Sequence, residues 1–233
     1  TTPDTDAPTL EDLQPLYQAV AHGCQANLYQ QACDVYYERI LRGGQHYTWH
    51  KLGAYASELG VQSRFFEVLW IRPVSALTQS SQAWVLNEGA ACLRVLGRLT
   101  EALEPTQAAL KSYVQQDEWV NASIVARNLT ELELTLGKLI DASKDAQEAV
   151  TYADRGEDPE RRIITRAAYG RALHQIGRRT DAEGRFSEAE HVQTEVHSEY
   201  PLLNAVKGFW YCDLLLSHAE CDAWRWVLER RAA

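Results

Sequence analysis

The sequence predicts an all-α fold, a right-handed α-solenoid of about six helical hairpins in one domain. Three observations predict it. Gly97, Gly137 and Gly177 recur at an interval of 40 residues, each directly preceded by Leu96, Leu136 or Ile176. Small residues keep the same register, first Ala102, Ala142 and Ala182, then Ala109, Ala149 and Ala189. The stretches leading to the glycines carry apolar residues at helical spacing, as in Leu129, Leu132 and Leu136. A fixed interval of about 20–50 residues is the mark of stacked supersecondary units.

Each unit reads as two helices around a glycine. Glycine ends the first helix because it takes a left-handed conformation at little steric cost. Alanines seven residues apart share one face of the second helix, where two helices must approach closely.

The elements follow in chain order. Residues 1–9 read as a flexible N-terminal linker, and 10–233 as the repeat domain. Thr9 and Asp12 form a plausible cap for the first helix. Leu16, Gly23, Ala32 and Tyr36 outline the first hairpin, turning at Asn27. Trp49, Leu52, Gly53 and Ala56 outline the next, turning at Gly60. Arg72-Pro73 interrupts the third unit, so a loop or kink is expected there. Turns then fall at 97, 137 and 177, with a degenerate sixth near Ser217. The spacing between turns widens from 33 to 37 to 40, so the later helices should be longer. Arg155 to Pro159 reads as a polar connector. No segment shows sustained Val/Ile/Thr alternation, and there is no Asn-Gly or Asp-Gly turn, so strands are not expected.

Composition bounds the function. The 233 residues are 45% hydrophobic and 24% charged, ordinary for a globular chain. The net charge of −9 argues against binding to phosphate backbones, which must be neutralised by cations. No apolar run is long enough for a membrane span. The N-terminal TTPDTDAPT is no secretory signal. The sequons at Asn121 and Asn128 fall in expected helix. The five cysteines, Cys24, Cys33, Cys92, Cys212 and Cys221, are scattered without a C-x-x-C pair. They form neither a disulfide framework nor a zinc site, and suggest a reducing compartment, hence the cytoplasm. The sequence holds no methionine, even at position 1. It is therefore expected to be a piece of a longer protein, or one whose start was removed.

The Trp49, Leu52, Gly53, Ala56 spacing resembles the first helix of the tetratricopeptide repeat (TPR), W-x2-L-G-x2-Y, with Ala for the last aromatic. Longer stretches carry a further resemblance: 16–43 (LYQAVAHGCQANLYQQACDVYYERILRG), 128–137 (NLTELELTLG) and 199–216 (EYPLLNAVKGFWYCDLLL). They are similar to the C-terminal TPR region of bacterial STAND-class (NACHT or NB-ARC-like) multidomain ATPases. That resemblance implies a region that senses a ligand or partner beside an ATPase on the same longer chain. No G-x-x-x-x-G-K-[ST] occurs here, so nucleotide chemistry would lie outside these residues.

Catalytic constellations are absent from the pattern. His46 and His50 share a helix face, but no third ligand is identifiable, so neither a metal nor a cofactor is expected. His22 and Cys24 do not face each other on a helix. Phe65, Phe66, Trp70 and Ile71 read first as core. Phe209, Trp210, Tyr211, Trp224 and Trp226 crowd the C-terminal end, either as a capping helix or as a partner-binding patch. Of the 23 basic residues 18 are Arg, and seven fall between 161 and 185: Arg161, Arg162, Arg166, Arg171, Arg178, Arg179 and Arg185. They either bridge neighbouring carboxylates or hold an anionic partner.

The first helices of such hairpins line the concave face. Superposing the repeats on their turns places His50, Lys51, Asn87, Glu88, Arg94, Arg127, Asn128, Glu131, Arg171, His174, Gln175, Lys207 and Tyr211 there. This polar set suits an extended or acidic peptide, with Asn bonding its backbone and Arg its carboxylates. The expected function is non-enzymatic protein or peptide binding, with no nucleic-acid or membrane partner. The alternatives are a stand-alone adaptor bridging two proteins and a regulator that binds a small molecule or signalling peptide.

Overall fold

A computed structural model describes residues 7–232, so residues 1–6 of the linker expected at 1–9 lie outside the described residues. Among the described residues there are eleven α-helices: α1 (Gln14–Gln25), α2 (Tyr29–Val35), α3 (Tyr47–His50), α4 (Tyr55–Gln62), α5 (Gln79–Val95), α6 (Leu99–Gln115), α7 (Trp119–Thr135), α8 (Leu139–Gly156), α9 (Pro159–Gln175), α10 (Arg179–Val196) and α11 (Ala205–Ala232). The fold is an all-α solenoid of TPR-like hairpins. It divides into two compact units, Thr1–Asp117 and Glu118–Ala233.

The long hairpins α5/α6, α7/α8 and α9/α10 follow from one local device. Their helices begin 20 residues apart, at 79, 99, 119, 139, 159 and 179. Gly97, Gly137 and Gly177 take φ of 76°, 75° and 80°. At each, the amide three residues past the helix reaches back to a carbonyl in its last turn: Arg98 to Leu93, Lys138 to Glu133, Arg178 to Leu173, at 2.8–2.9 Å. That closure satisfies carbonyls that the helix end would leave bare. Asn27, with φ of 60°, does the same at the α1/α2 turn through Leu28 and Gly23. The alanines of the repeat, Ala102, Ala109, Ala142, Ala149, Ala182 and Ala189, are all fully buried against the facing helix. As expected, the later helices are longer, 17 or 18 residues against 12 in α1.

At the N-terminus, Thr9 and Asp12 bond reciprocally, the Thr9 amide to the Asp12 carboxylate at 2.9 Å and the Asp12 amide to the Thr9 hydroxyl at 3.2 Å. This capping box precedes α1, which starts two residues after Asp12. Thr78 caps α5 and Asp158 caps α9 in the same way, each accepting from the amide three residues on.

Four expectations need correction. Gly60 is not a turn; it lies inside α4. Residues 43–78 do not build a second long hairpin. After α4 the chain forms a two-stranded antiparallel hairpin, β1 (Phe66–Val68) with β2 (Arg72–Pro73), where no strand was expected. Pro73 sits at its end, where its missing N–H costs no ladder bond. Ser217 is not a turn either, because α11 runs through it without a break. Among the described residues the helices pair as α1/α2, α3/α4, α5/α6, α7/α8 and α9/α10 with α11 after them, in line with about six hairpins, and only the last three pairs are of full length. The connector expected at 155–159 shrinks to Glu157 and Asp158, since α8 continues to Gly156.

Unit 1 has a core of Val20, Tyr36, Ile40, Leu41, Phe65 and Val85, all fully buried. Trp70 is buried too, while Ile71 is exposed. In unit 2, Ile163, Leu173, Phe186 and Leu214 form the core of the last hairpin and α11. Fully burying one such side chain contributes about 1.5–3 kcal/mol. No helix among the described residues is long and apolar enough to cross a membrane.

Candidate functional site

The face built by the first helices is best resolved in unit 2, where α7, α9 and α11 lie side by side. The stacking follows from the 40-residue register, which sets residue n of one first helix beside its repeat equivalent in the next. Arg171 on α9 donates to Glu131 on α7, 40 residues earlier. Its guanidinium also lies 5.0 Å from the ring centre of Trp210 on α11. His174 stands 3.5 Å from Asp213 of α11. Lys207 reaches the Gln193 side chain at 3.5 Å and Glu160 at 3.9 Å. Tyr211 stacks on Phe186, ring centres 4.9 Å apart. Arg127 donates to Asn128 at 2.7 Å. Gln175 is exposed at the end of α9. The second oxygen of Glu131 is buried and accepts no hydrogen bond from the protein.

Six of the seven clustered arginines bridge neighbouring carboxylates. Arg162 and Arg166 share Asp154, Arg166 and Arg185 share Glu188, Arg171 holds Glu131, Arg178 holds Asp181, and Arg179 holds Glu183. Exposed pairs of this kind contribute about 0–1 kcal/mol each. Arg162, Arg166 and Arg171 thus tie neighbouring helices together, while Arg178, Arg179 and Arg185 pair along α10.

In unit 1 the expected face residues separate. Asn87, Glu88 and Arg94 lie on α5, while His50 and Lys51 are exposed around the end of α3. Glu88 is buried and bonds the His46 imidazole at 3.1 Å. That bond raises the His46 pKa above its ordinary value against an opposing effect of burial. His46 itself sits in the left-handed region, with φ of 45°. The His46 and His50 ring centres are 6.3 Å apart, and His46 packs on Trp49 instead.

A buried polar network in unit 1 had no sequence signal. Glu58, fully buried on α4, accepts hydrogen bonds from the hydroxyls of Tyr17 and Tyr36. Gln62 in turn donates to the Tyr36 hydroxyl at 2.7 Å. A π-helical turn at Tyr36–Ile40 carries Tyr36 into this position. Burial raises the Glu58 pKa, and the two tyrosine donors oppose the rise. A lone glutamate in a short helix carries no pattern that marks it as buried. All five cysteines are free, with Cys24, Cys33 and Cys92 buried and Cys212 and Cys221 exposed. Burial pushes the Cys33 thiol up to about 12, so it remains a neutral, inert side chain at ordinary pH.

No family model matches the sequence, and no curated protein does. Solved structures do match. The chain resembles two crystal structures of nearly identical TPR-like repeats from a Podosopora anserina protein described as a kinesin light chain, one of them a single-substitution variant. The variant aligns with a TM-score of 0.54 at 13% identity, over 80% of this chain and 96% of that one. The other gives 0.51 at 14% identity, over 79% and 96%. At such identity the likeness concerns the fold, and the fold is that of TPR-like repeats.

Proposed function

We propose that this chain is a non-enzymatic module that binds a protein or an extended peptide on the face made by its first helices. The observation that carries the reading is the polar strip of Arg127, Asn128, Glu131, Arg171, His174 and Lys207 on three adjacent helices of unit 2. Arg127, Arg171 and Lys207 suit carboxylates of an acidic segment. The α5 residues Asn87 and Arg94 are a second set of the same kind in unit 1.

The setting we propose is the ligand-sensing or scaffold region of a larger bacterial signalling or defence ATPase, in the cytoplasm. This rests on the resemblance of 16–43, 128–137 and 199–216 to such regions. Ligand contact would then alter how the repeats pack on the ATPase.

Binding of a panel of acidic peptides, followed by fluorescence anisotropy, tests the face. Arg171→Gln keeps a hydrogen-bonding side chain near Glu131 but removes the cation. It should weaken the best binder about tenfold, with helicity retained by circular dichroism. Unchanged affinity in Arg171→Gln and in Lys207→Gln would exclude this face as the site.

A further inference from the structure

We propose that the outward side of α11 docks a second protein's amphipathic helix, one that carries Lys or Arg on both flanks of its apolar stripe. The inward side of α11, with Trp210, Tyr211 and Leu214, packs on α9 and α10. On the other side runs a separate apolar stripe: Phe209, Cys212, Leu216, Ala219, Ala223 and Trp226. Its 3-4-3-4-3 spacing is that of a helix–helix seam. All six residues are exposed, Phe209 at 71%, Leu216 at 56% and Trp226 at 54%. The stripe spans about 26 Å, nearly five helical turns. Bulky residues mark its ends and alanines its middle, so a second helix can approach closely there. Exposed apolar surface of this extent on a folded protein marks an interaction site.

Charge selects the occupant. Asp213 and Glu220 border one side of the stripe, Asp222 and Glu229 the other. Asp213 also faces His174, and Asp222 faces Arg225 and His218. Glu220 and Glu229 make no ion pair among the described residues. Arg230, at the C-terminal end of the stripe, lies over the Trp226 ring at 4.0 Å. A second copy of this chain fits poorly. Laid antiparallel with Phe209 against Trp226, it sets Asp213 beside the copy's Glu220. Laid parallel, it offers neither acidic border a cation. A helix with basic flanks meets both borders with opposite charge.

The test uses the full chain and a synthetic helix of about 21 residues, with Leu and Ala at 3-4 spacing and Lys on both flanks. A control peptide carries Glu at the flanks. The chain should bind the Lys peptide at least about tenfold more tightly than the Glu peptide. Hydrogen exchange should slow across 209–226 on binding. Leu216→Glu and Ala223→Glu, both at exposed positions, should abolish binding while leaving the circular dichroism spectrum unchanged. Leu216→Glu, outside the polar strip of α7, α9 and α11, should leave acidic-peptide binding on that strip intact, which separates this site from the one proposed above. Equal affinity for the two peptides overturns the proposal. So does absent protection at 209–226. A concentration-dependent dimer that Leu216→Glu disrupts also overturns it, because the occupant is then a second copy.

Discussion

Two glycines of unit 2 show how one residue type serves two physical needs. Gly137 ends α7 with φ of 75°, and a Cβ built there meets nothing within 4 Å. Its glycine is needed for conformation alone. Gly170, mid-helix in α9, has ordinary φ, but a Cβ there would stand 2.9 Å from the Phe186 ring. That ring is fixed by its stacking on Tyr211. We expect Gly137→Ala to cost about 1 kcal/mol through the left-handed backbone. Gly170→Ala should cost about 1–3 kcal/mol through overpacking. Urea denaturation of the two variants checks the order; a smaller loss at Gly170 would mean that Phe186 yields easily. Only the first role was legible in the sequence, because a 40-residue register marks a turn. Nothing in the chain order says which ring lies over Gly170.

Among the elements, the segment between α4 and α5 departs furthest from the repeat. Its β-hairpin is too short for alternation to reveal it, and its turn residue Trp70 takes φ of 60°. Trp70 is buried with its ring against Gly89 of α5, where a Cβ would come within 2.9 Å. The tryptophan thus fills space on α5 inside unit 1. Trp70→Ala should cost about 3–5 kcal/mol and lower the melting temperature of unit 1. Calorimetry resolves this, and a loss below about 1 kcal/mol would show that the hairpin is not anchored through that ring. Trp49, Leu52 and Gly53 matched a repeat motif, yet Gly53 ends the four-residue α3 with φ of 61°. A motif of packing residues fixes how a helix can pack and leaves its length open. At the other end, the crowded aromatics of 209–226 divide between the two readings open at the sequence level. Trp210 and Tyr211 pack inward as a capping helix would, while Phe209, Trp224 and Trp226 stay exposed.

For the whole molecule, buried ionisable groups of both units push stability in one direction with pH. Burial raises Glu58 in unit 1, and the bond to Glu88 raises His46. In unit 2, burial and then the neighbouring Asp145 push Glu133 up to about 8, and burial raises Asp145 as well. Each has a folded pKa above its unfolded one. Each therefore adds stability that is complete below the unfolded pKa and lost as pH rises through the folded pKa. For Glu133 that loss runs from about 4.5 to about 8; for His46 it begins near 6.5. The exposed Asp12 and Glu101 shift the opposite way, but they are screened by solvent. The melting temperature should therefore be higher at about pH 5.5 than at about pH 8.5. Glu133→Gln should flatten the curve by removing one carboxylate from the buried pair. A melting temperature that rises with pH would contradict these environments. Hairpin stacks distribute their energetics locally. The exchange protection lost in Gly170→Ala should accordingly concentrate in α9–α11.

The sequence by itself determined the all-α class, the three long hairpins, their glycine turns and the alanine faces. These depend on backbone dihedrals and on spacing along one helix, which neighbouring residues encode. It also marked the strip of polar residues on α7, α9 and α11 as one register. Tertiary structure decided the rest. It ties Arg171 to Glu131 and Trp210, buries Glu58 between two tyrosines, and places the short strands that fill the gap before α5. It packs one side of α11 through Trp210, Tyr211 and Leu214 and leaves the helix beyond Ser217 largely exposed, Trp224 and Leu228 included. Those outcomes depend on which side chains meet across 22 to 41 residues of intervening chain, as with Tyr36 and Tyr17 at Glu58. Burial and pairing energies are set only where the helices meet.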